Sequence, residues 1–250
     1  MMSFPISDSV LKNISVLASD IDETITINKT IYAKNMALIS MLRQIGVKVV
    51  LVTGRTAGHA FTLTTYFDVD AAIAENGGVI CEGETVRVVP HFKAETFEKI
   101  KAVFKDVLKR FTFLKETQDN FMRMTDQTFY VHDVPLEVIE ATREMADVHD
   151  LGVIYSSVHV HVYDPGIDKG STLKLYLKEQ GVFDPDRIIA IGDSPNDEGL
   201  FDPKILTHTV GVKNVEDYLD HMTNKPRYIL PKKEGEGFAM LAEAILKAQS

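Results

Sequence analysis

The chain carries one cysteine, Cys81, in 250 residues. A single thiol excludes an internal disulfide and suits a reducing compartment. Positive charge is also in deficit: 36 Asp and Glu against 27 Lys and Arg leave a formal net charge of −9. A field of that sign attracts neither nucleic acid nor an anionic membrane surface, so general binders of both are excluded. A small anionic substrate is not excluded, because one metal ion and one lysine reverse the potential locally. No apolar run approaches the length that a bilayer requires. Met1–Asp20 lacks a basic start followed by a long apolar stretch, so nothing there reads as a signal peptide. Internal repeats, low-complexity tracts and long linkers are missing as well. The expectation is a soluble, cytoplasmic protein of ordinary globular composition, 45% hydrophobic and 25% charged. It is long enough for a large core with a smaller module.

Strand and helix patterns alternate at the start. Ile14–Ser19, Val47–Val52 and Ala71–Ala74 are short apolar runs that predict buried strands. Ala33–Ile45 predicts a helix with Met36, Ile39, Leu42 and Ile45 on its inner face, ended by Gly46, and Ala57–Phe67 predicts another. Strands joined by helices of this size imply right-handed βαβ units and a parallel sheet. Glu75-Asn76-Gly77-Gly78 reads as a tight turn. The character then changes. Val79–Cys81 and Thr85–Val89 read as a hairpin, and Ala94–Phe111 as an amphipathic helix with Phe97, Ile100, Phe104, Val107, Leu108 and Phe111 on one stripe. Phe121–Met124 and Thr128–Val131 predict short strands around Asp126-Gln127, Leu136–Val148 a helix, and Val153–Tyr155 with Val158–Tyr163 a closing strand pair. This is an α+β insert over residues 81–163. The earlier rhythm returns with helix Ser171–Gln180, strands Ile188–Ile191 and Thr209–Val212, a short helix after Asn196, and a last helix Gly237–Ala248. The expected architecture is an α/β core, residues 1–80 and 164–250, that carries an inserted cap.

Four polar clusters punctuate this pattern: Asp20-Ile21-Asp22-Glu23-Thr24, Thr53-Gly54-Arg55, Asp168-Lys169-Gly170 and Gly192-Asp193-Ser194-Pro195-Asn196-Asp197. Three follow predicted strands, and the space beyond the carboxyl ends of parallel strands is where an open α/β sheet keeps its ligands. Asp20 and Asp22, two residues apart on an extended loop, can point into one pocket while Ile21 turns away. One carboxylate can attack phosphorus, and the other can protonate the leaving oxygen and then take a proton from water. Alone, Asp-x-Asp-x-Thr is equally a calcium loop or a helix N-cap. The last cluster is more specific, since two acids and an amide after an apolar strand suit a hard cation such as Mg²⁺. Electrostatics makes that cation close to obligatory. A like-charge pair ~4 Å apart costs about 4 kcal/mol at an effective dielectric near 20. A phosphate dianion approaching Asp20, Asp193 and Asp197 meets several such penalties, with one lysine, Lys169, to offset them. Thr53 and the N–H groups of Gly54 and Arg55 at a helix start form an anion cradle. The Lys169 ammonium can neutralise the nucleophile and the transferring oxygens.

Together these residues resemble the haloacid dehalogenase-like (HAD) hydrolase superfamily, whose ordered motifs are matched by Asp20-x-Asp22-x-Thr24, Thr53, Lys169 and Gly192-Asp193-x-x-Asn196-Asp197. The resemblance covers the core on both sides of the insert. It implies a Rossmann-like parallel-sheet core with an α+β cap of type C2B, and a Mg²⁺-dependent phosphohydrolase. It further implies Asp20 as nucleophile, Asp22 as general acid and base, and Thr53 and Lys169 holding the phosphoryl group. The implied metal set is Asp20, Asp193, Asp197 and Asp22, the last through its backbone carbonyl. Thr24, Gly54, Arg55, Asn76 and Asn196 are the implied substrate-binding residues. The insert lies between Thr53 and Lys169, which together with Glu75-Asn76-Gly77-Gly78 resembles the Cof-type, type IIB branch. Within it the chain is most similar to the sucrose-phosphate-phosphatase-like and archaeal-type phosphoglycolate phosphatase group. Glu23 departs from the pattern, which usually has Gly there.

Specificity is then expected from the cap. In Val158–Tyr163 the three valines alternate with His159, His161 and Tyr163. If the valines pack on the cap helices, the polar trio faces the active site, and Arg123 can share that face. His159 and His161 are thus candidate substrate contacts, although solvent exposure is the plainer reading and a zinc site lacks a third ligand. Met122 and Met124 read as core. The implied partner is a small phosphorylated metabolite, phosphoglycolate or a sugar phosphate, acted on by a monomer or homodimer. A phosphosugar mutase using the same nucleophile and a non-catalytic phosphate-binding protein are the alternatives. The mutase's extended fourth motif is absent from Gly192–Phe201, and a sensor would need a damaged motif.

Overall fold

The computed structural model describes residues 2–3 and 6–250; residues 1, 4 and 5 of the expected core lie outside it. In chain order the core elements are β1 (Met2–Ser3), α1 (Asp8–Asn13), β2 (Val16–Ser19), α2 (Ala33–Gln44), β3 (Lys48–Val52), α3 (Ala57–Tyr66), β4 (Ala71–Ala74), β5 (Val79–Glu82) and β6 (Thr85–Val88). The cap follows with α4 (Ala94–Arg110), β7 (Asp126–Tyr130), α5 (Leu136–Asp147), β8 (Gly152–Tyr155) and β9 (His159–Tyr163). The chain returns to the core through α6 (Lys169–Glu179), β10 (Ile188–Gly192), β11 (His208–Gly211), β12 (Tyr228–Ile229) and α7 (Glu234–Gln249).

Nine strands form one sheet in the order β1-β12-β11-β10-β2-β3-β4-β5-β6. All neighbours from β1 to β4 are parallel, whereas β4-β5 and β5-β6 are antiparallel. Both faces are covered, which is why these strands read as unbroken apolar runs rather than as alternating ones. Leu17, Val49, Leu51, Ile189 and Ile191 pack toward α1, α2, α3 and α7. Val16, Ala18, Val50, Val52, Ile188 and Ala190 pack toward α6 and the segment around Phe201 and Val215. Among the described residues no helix is long and apolar enough to cross a membrane.

The hairpin β5-β6 is bonded into this nine-stranded sheet. The expected start of the insert at residue 81 therefore falls inside the core sheet: a hairpin signal fixes local pairing but not which sheet the hairpin extends. The inner face of α2 also differs from expectation. Asn35, Leu38, Ile39 and Leu42 are buried, while Met36 and Ile45 are exposed. The stripe is rotated because Asn35 turns inward, donating to the carbonyls of Ile25 and Gly235.

The cap is a three-stranded antiparallel sheet, β7-β9-β8. One face, with Phe129, Val160 and Val162, packs on Ile100, Val103, Phe104 and Val107 of α4 and on Ile139 of α5. The expected stripe of α4 is present, since Phe97, Leu108 and Phe111 pack against the same cluster. Phe121–Met124 is not a strand. Asn120–Met122 is a turn of 3₁₀ helix, and Met122 and Met124 are 42% and 40% exposed rather than core. The Asn120 side chain holds that turn by bonding both N–H and C=O of Thr128, so strand pairing is satisfied without a second extended run.

Close backbone approach explains one glycine of the third cluster. A methyl at Gly170 would lie inside the Gly199 carbonyl oxygen. Gly170→Ala is expected to lower stability by roughly 1–3 kcal/mol, as overpacking does, measured as a lower urea midpoint. An unchanged midpoint would contradict this packing.

Candidate active site

Adjacent parallel strands β10, β2, β3 and β4 end side by side, so the residues just past them, Asp193, Asp20, Thr53 and Glu75, share one rim. Asp168 caps the start of α6 by accepting from the N–H groups of Gly170 and Ser171, which aims the next residue, Lys169, at the same rim. Lys169 is 1% exposed, and its ammonium donates to Asp20 at 2.6 Å and Asp197 at 2.7 Å. Residues 149 and 28 positions away are thereby tied to one point.

Asp20, Asp193 and Asp197 are all buried, with one ligand atom of each within 4.8 Å of the others. Their bonding differs. Asp197 bonds Lys169 through Oδ1, and its Oδ2 accepts from the N–H groups of Asp193 and Ser194, closing the turn. Asp193 accepts from the Thr24 hydroxyl at Oδ1, whereas its Oδ2 is buried without a partner. Burial and the charges of Asp20 and Asp197 push Asp193 well above the usual carboxylate range. Burial likewise raises Asp20, against the pull of Lys169. Fully ionised, the three buried carboxylates would exceed the one ammonium by two negative charges, and the raised proton affinities of Asp193 and Asp20 express that shortage of positive charge. An orphaned oxygen in an all-oxygen donor set of that charge fits a hard divalent cation.

Asp22 stands apart from this cluster. Its carboxylate takes a two-pronged bond from Arg55, at 2.7 Å to Nε and 2.6 Å to Nη2, so the carboxylate group itself does not join the expected metal set. Burial raises its proton affinity, but the Arg55 guanidinium outweighs that and holds the Asp22 carboxyl below its ordinary pKa. Thr53 is fully buried, and its hydroxyl accepts from the Arg55 N–H. Asn196 donates to the Asn76 carbonyl oxygen at 3.0 Å, leaving the Asn76 amide nitrogen buried and unpartnered. Glu23 has a φ of 57°, the left-handed conformation in which Gly is at ease. Burial raises the proton affinity of its carboxyl, against the opposing pull of Ser157 of the cap.

The polar face of β9 closes over this rim. A cavity of about 10 Å³, room for one water, lies between Asp20, Asp22, Gly54 and Arg55 on the core side and Ser156–Val158, His159 and His161 on the cap side. Both histidines are buried, 4% and 1% exposed, so the solvent-exposed reading is overturned. The third valine of the run, Val158, lines this cavity instead of packing on the cap helices. Burial drives His159 down to about 3 and lowers His161 too, leaving both rings neutral.

Several participants lay outside the four clusters. Glu75 was hidden in a predicted turn. It is 2% exposed and accepts from Ala57 N–H on the core side and from Met124 N–H, Thr125 N–H and the Thr125 hydroxyl on the cap side. Burial, with the charge of Asp126 nearby, pushes it up to about 7. Asp126, read as part of a turn, begins β7 and bonds His161 Nδ1 at 2.7 Å and Arg123 at 2.8 Å. In the strand register Asp126 stands opposite Tyr163 of β9, a pairing that a predicted turn at Asp126-Gln127 does not reveal.

A family model for sucrose-6F-phosphate phosphohydrolase matches residues 13–245. The chain belongs to that family of HAD-like hydrolases. It is 31% identical over 241 residues to a phosphoglycolate phosphatase of Methanobrevibacter smithii, covering 94% of this chain and 98% of the relative. It is 30% identical to the phosphoglycolate phosphatase of Methanothrix thermoacetophila, covering 92% and 96%. Among solved structures, a Thermoplasma acidophilum protein superposes with a TM-score of 0.75 at 20% identity, covering 93% of this chain and 98% of that one. The sucrose-phosphatase of Synechocystis, solved with sucrose and phosphate, gives 0.72 at 19% identity, covering 94% and 98%. These likenesses show the shared fold, a HAD core with a cap. The chain is a HAD-type phosphatase.

Glu75 offers only acceptors to four donors. Glu75→Gln sets an amide against one of them and is expected to destabilise the fold by roughly 1–3 kcal/mol. Chemical denaturation checks this, and an unchanged free energy of unfolding would contradict the role of Glu75 as a stitch between core and cap.

Proposed function

We propose that this phosphatase hydrolyses phosphoglycolate, or a phosphomonoester of similar size, with Mg²⁺ and through an aspartyl-phosphate on Asp20. The observation that carries the size class is the 31% and 30% identity, over more than nine-tenths of the chain, to relatives named phosphoglycolate phosphatase.

Mg²⁺ held by Asp20, Asp193 and the Asp22 backbone carbonyl would supply the missing positive charge and polarise a phosphoryl oxygen. The remaining work falls to the chain. Lys169 keeps Asp20 oriented and partly neutralised, which favours the ionised nucleophile. The Thr53 hydroxyl accepts from the Arg55 N–H, which leaves its own proton, with the Gly54 N–H, to receive the phosphoryl oxygens. Asp22 is held ionised by Arg55, the state that accepts a proton and not the one that gives it. A phosphoryl dianion competes for the same guanidinium, and as Arg55 turns to it Asp22 takes up a proton from solvent, gives it to the leaving oxygen as the P–O bond breaks, and then accepts one from the water that cleaves the aspartyl-phosphate. His159 and His161 meet the leaving group from the cap.

The test is phosphate release from a panel of phosphorylated metabolites. Phosphoglycolate is expected to exceed sucrose phosphate by at least about tenfold in kcat/KM, the scale that pocket fit sets. Asp20→Asn and EDTA are each expected to abolish turnover. Preference for a disaccharide phosphate would overturn the size class, and turnover by Asp20→Asn would overturn the nucleophile.

A further inference from the structure

The cap touches the phosphate cradle at a point that none of the four clusters contains. Arg123, whose side chain is 0% exposed, donates from Nη1 to the Gly54 carbonyl oxygen at 3.1 Å and to Asp126 Oδ1 at 2.8 Å. The Gly54 carbonyl and the Arg55 N–H belong to one planar peptide, so fixing the oxygen fixes the direction of that N–H. The Arg55 N–H donates to the Thr53 hydroxyl oxygen at 3.1 Å, which orients that hydroxyl so that its own proton serves the cradle. Asp126 secures the other end, holding His161 Nδ1 at 2.7 Å. The His161 ring in turn sits so close to Gly54 that a methyl there would be 3.2 Å from Cε1 and Nε2. Glu75 binds the N–H groups of Met124 and Thr125, next along from Arg123, and that of Ala57, two residues past Arg55. Both sides of the Arg123–Gly54 contact are thus anchored within three residues.

We propose that Arg123 is a positioning residue, which from the cap sets the Gly54–Arg55 peptide so that the phosphate cradle is complete only when the cap is shut. The inference rests on the reading of Thr53-Gly54-Arg55 as the cradle. Its consequence is that cap closure contributes to the chemical step itself, even for a substrate whose leaving group the cap does not recognise. A buried guanidinium bonded to a buried carboxylate would serve structure alone if it stopped there. The second bond, to a carbonyl of the opposing domain, is what a purely structural pair does not need.

The experiment uses p-nitrophenyl phosphate, with inorganic phosphate as inhibitor, on Arg123→Ala, Arg123→Gln and Thr53→Ala. Positioning errors near 1 Å cost about 100-fold in rate, so Arg123→Ala is expected to lower kcat by about 10- to 100-fold and to weaken phosphate inhibition in parallel. Millimolar guanidinium chloride, but not sodium chloride, is expected to restore part of kcat. A folded Arg123→Ala enzyme with wild-type kcat and phosphate inhibition overturns the inference. Should Arg123→Ala fail to fold, Arg123→Gln, which keeps a donor for Asp126, is judged by the same two readouts. Thr53→Ala separates the layers: if it weakens phosphate inhibition and the Arg123 variants do not, only the present inference falls. If Thr53→Ala leaves phosphate inhibition unchanged, the cradle reading falls and takes the inference with it.

Discussion

Lys169 is an ammonium shut away from water and held between Asp20 and Asp197, and the arrangement of the site follows from that placement. A buried charge is tolerated only when paired and fully hydrogen-bonded. Strand order delivers Asp20 and Asp193 to neighbouring positions, and the turn Gly192–Asp197 bends back to present Asp197. The glycine before that turn has no room for a side chain, because Asp197 occupies the space. Lys169 satisfies two of the three carboxylates and leaves Asp193 with an unpartnered oxygen. This set of side chains is therefore electrostatically incomplete in a specific direction, short of positive charge.

The cap completes the other half. Its apolar face is spent on α4 and α5, which leaves the His159 and His161 face to lie on the core rim. The hydrogen bonds between the two halves join Glu75 with Met124 and Thr125, and Arg123 with Gly54. Polar contacts can exchange for water at modest net free energy, whereas an apolar interface of the same extent would hold the cap closed. An enzyme whose cavity admits a single water must part these surfaces to admit substrate.

Much of this was legible in the residues because strong constraints leave strong patterns. Strands buried on both faces read as apolar runs, and the four polar clusters stood out against them at Asp20, Thr53, Lys169 and Asp193. The parts that were not legible depend on tertiary choices. The β5-β6 hairpin carries its own turn signal but nothing to say that it extends the core sheet. Met122 and Met124 look like core by type, yet the segment that follows the Asn120 turn leaves them exposed. Glu75 and Asp126 were hidden for a similar reason: an acid in a turn is ordinary until a partner far along the chain, Thr125 for one and His161 for the other, converts it into a buried junction.

The charge deficit is the central claim, and thermal unfolding against Mg²⁺ tests it most directly. Saturating Mg²⁺ is expected to raise the wild-type Tm by about 5–10 °C, as a ligand at ~100-fold its Kd does for a chain of this size. In EDTA, Asp193→Asn, which removes one of the crowded carboxylates, is expected to melt at or above the wild type and to gain nothing from Mg²⁺. A wild-type Tm indifferent to Mg²⁺, together with an Asp193→Asn variant less stable than wild type in EDTA, would contradict the account.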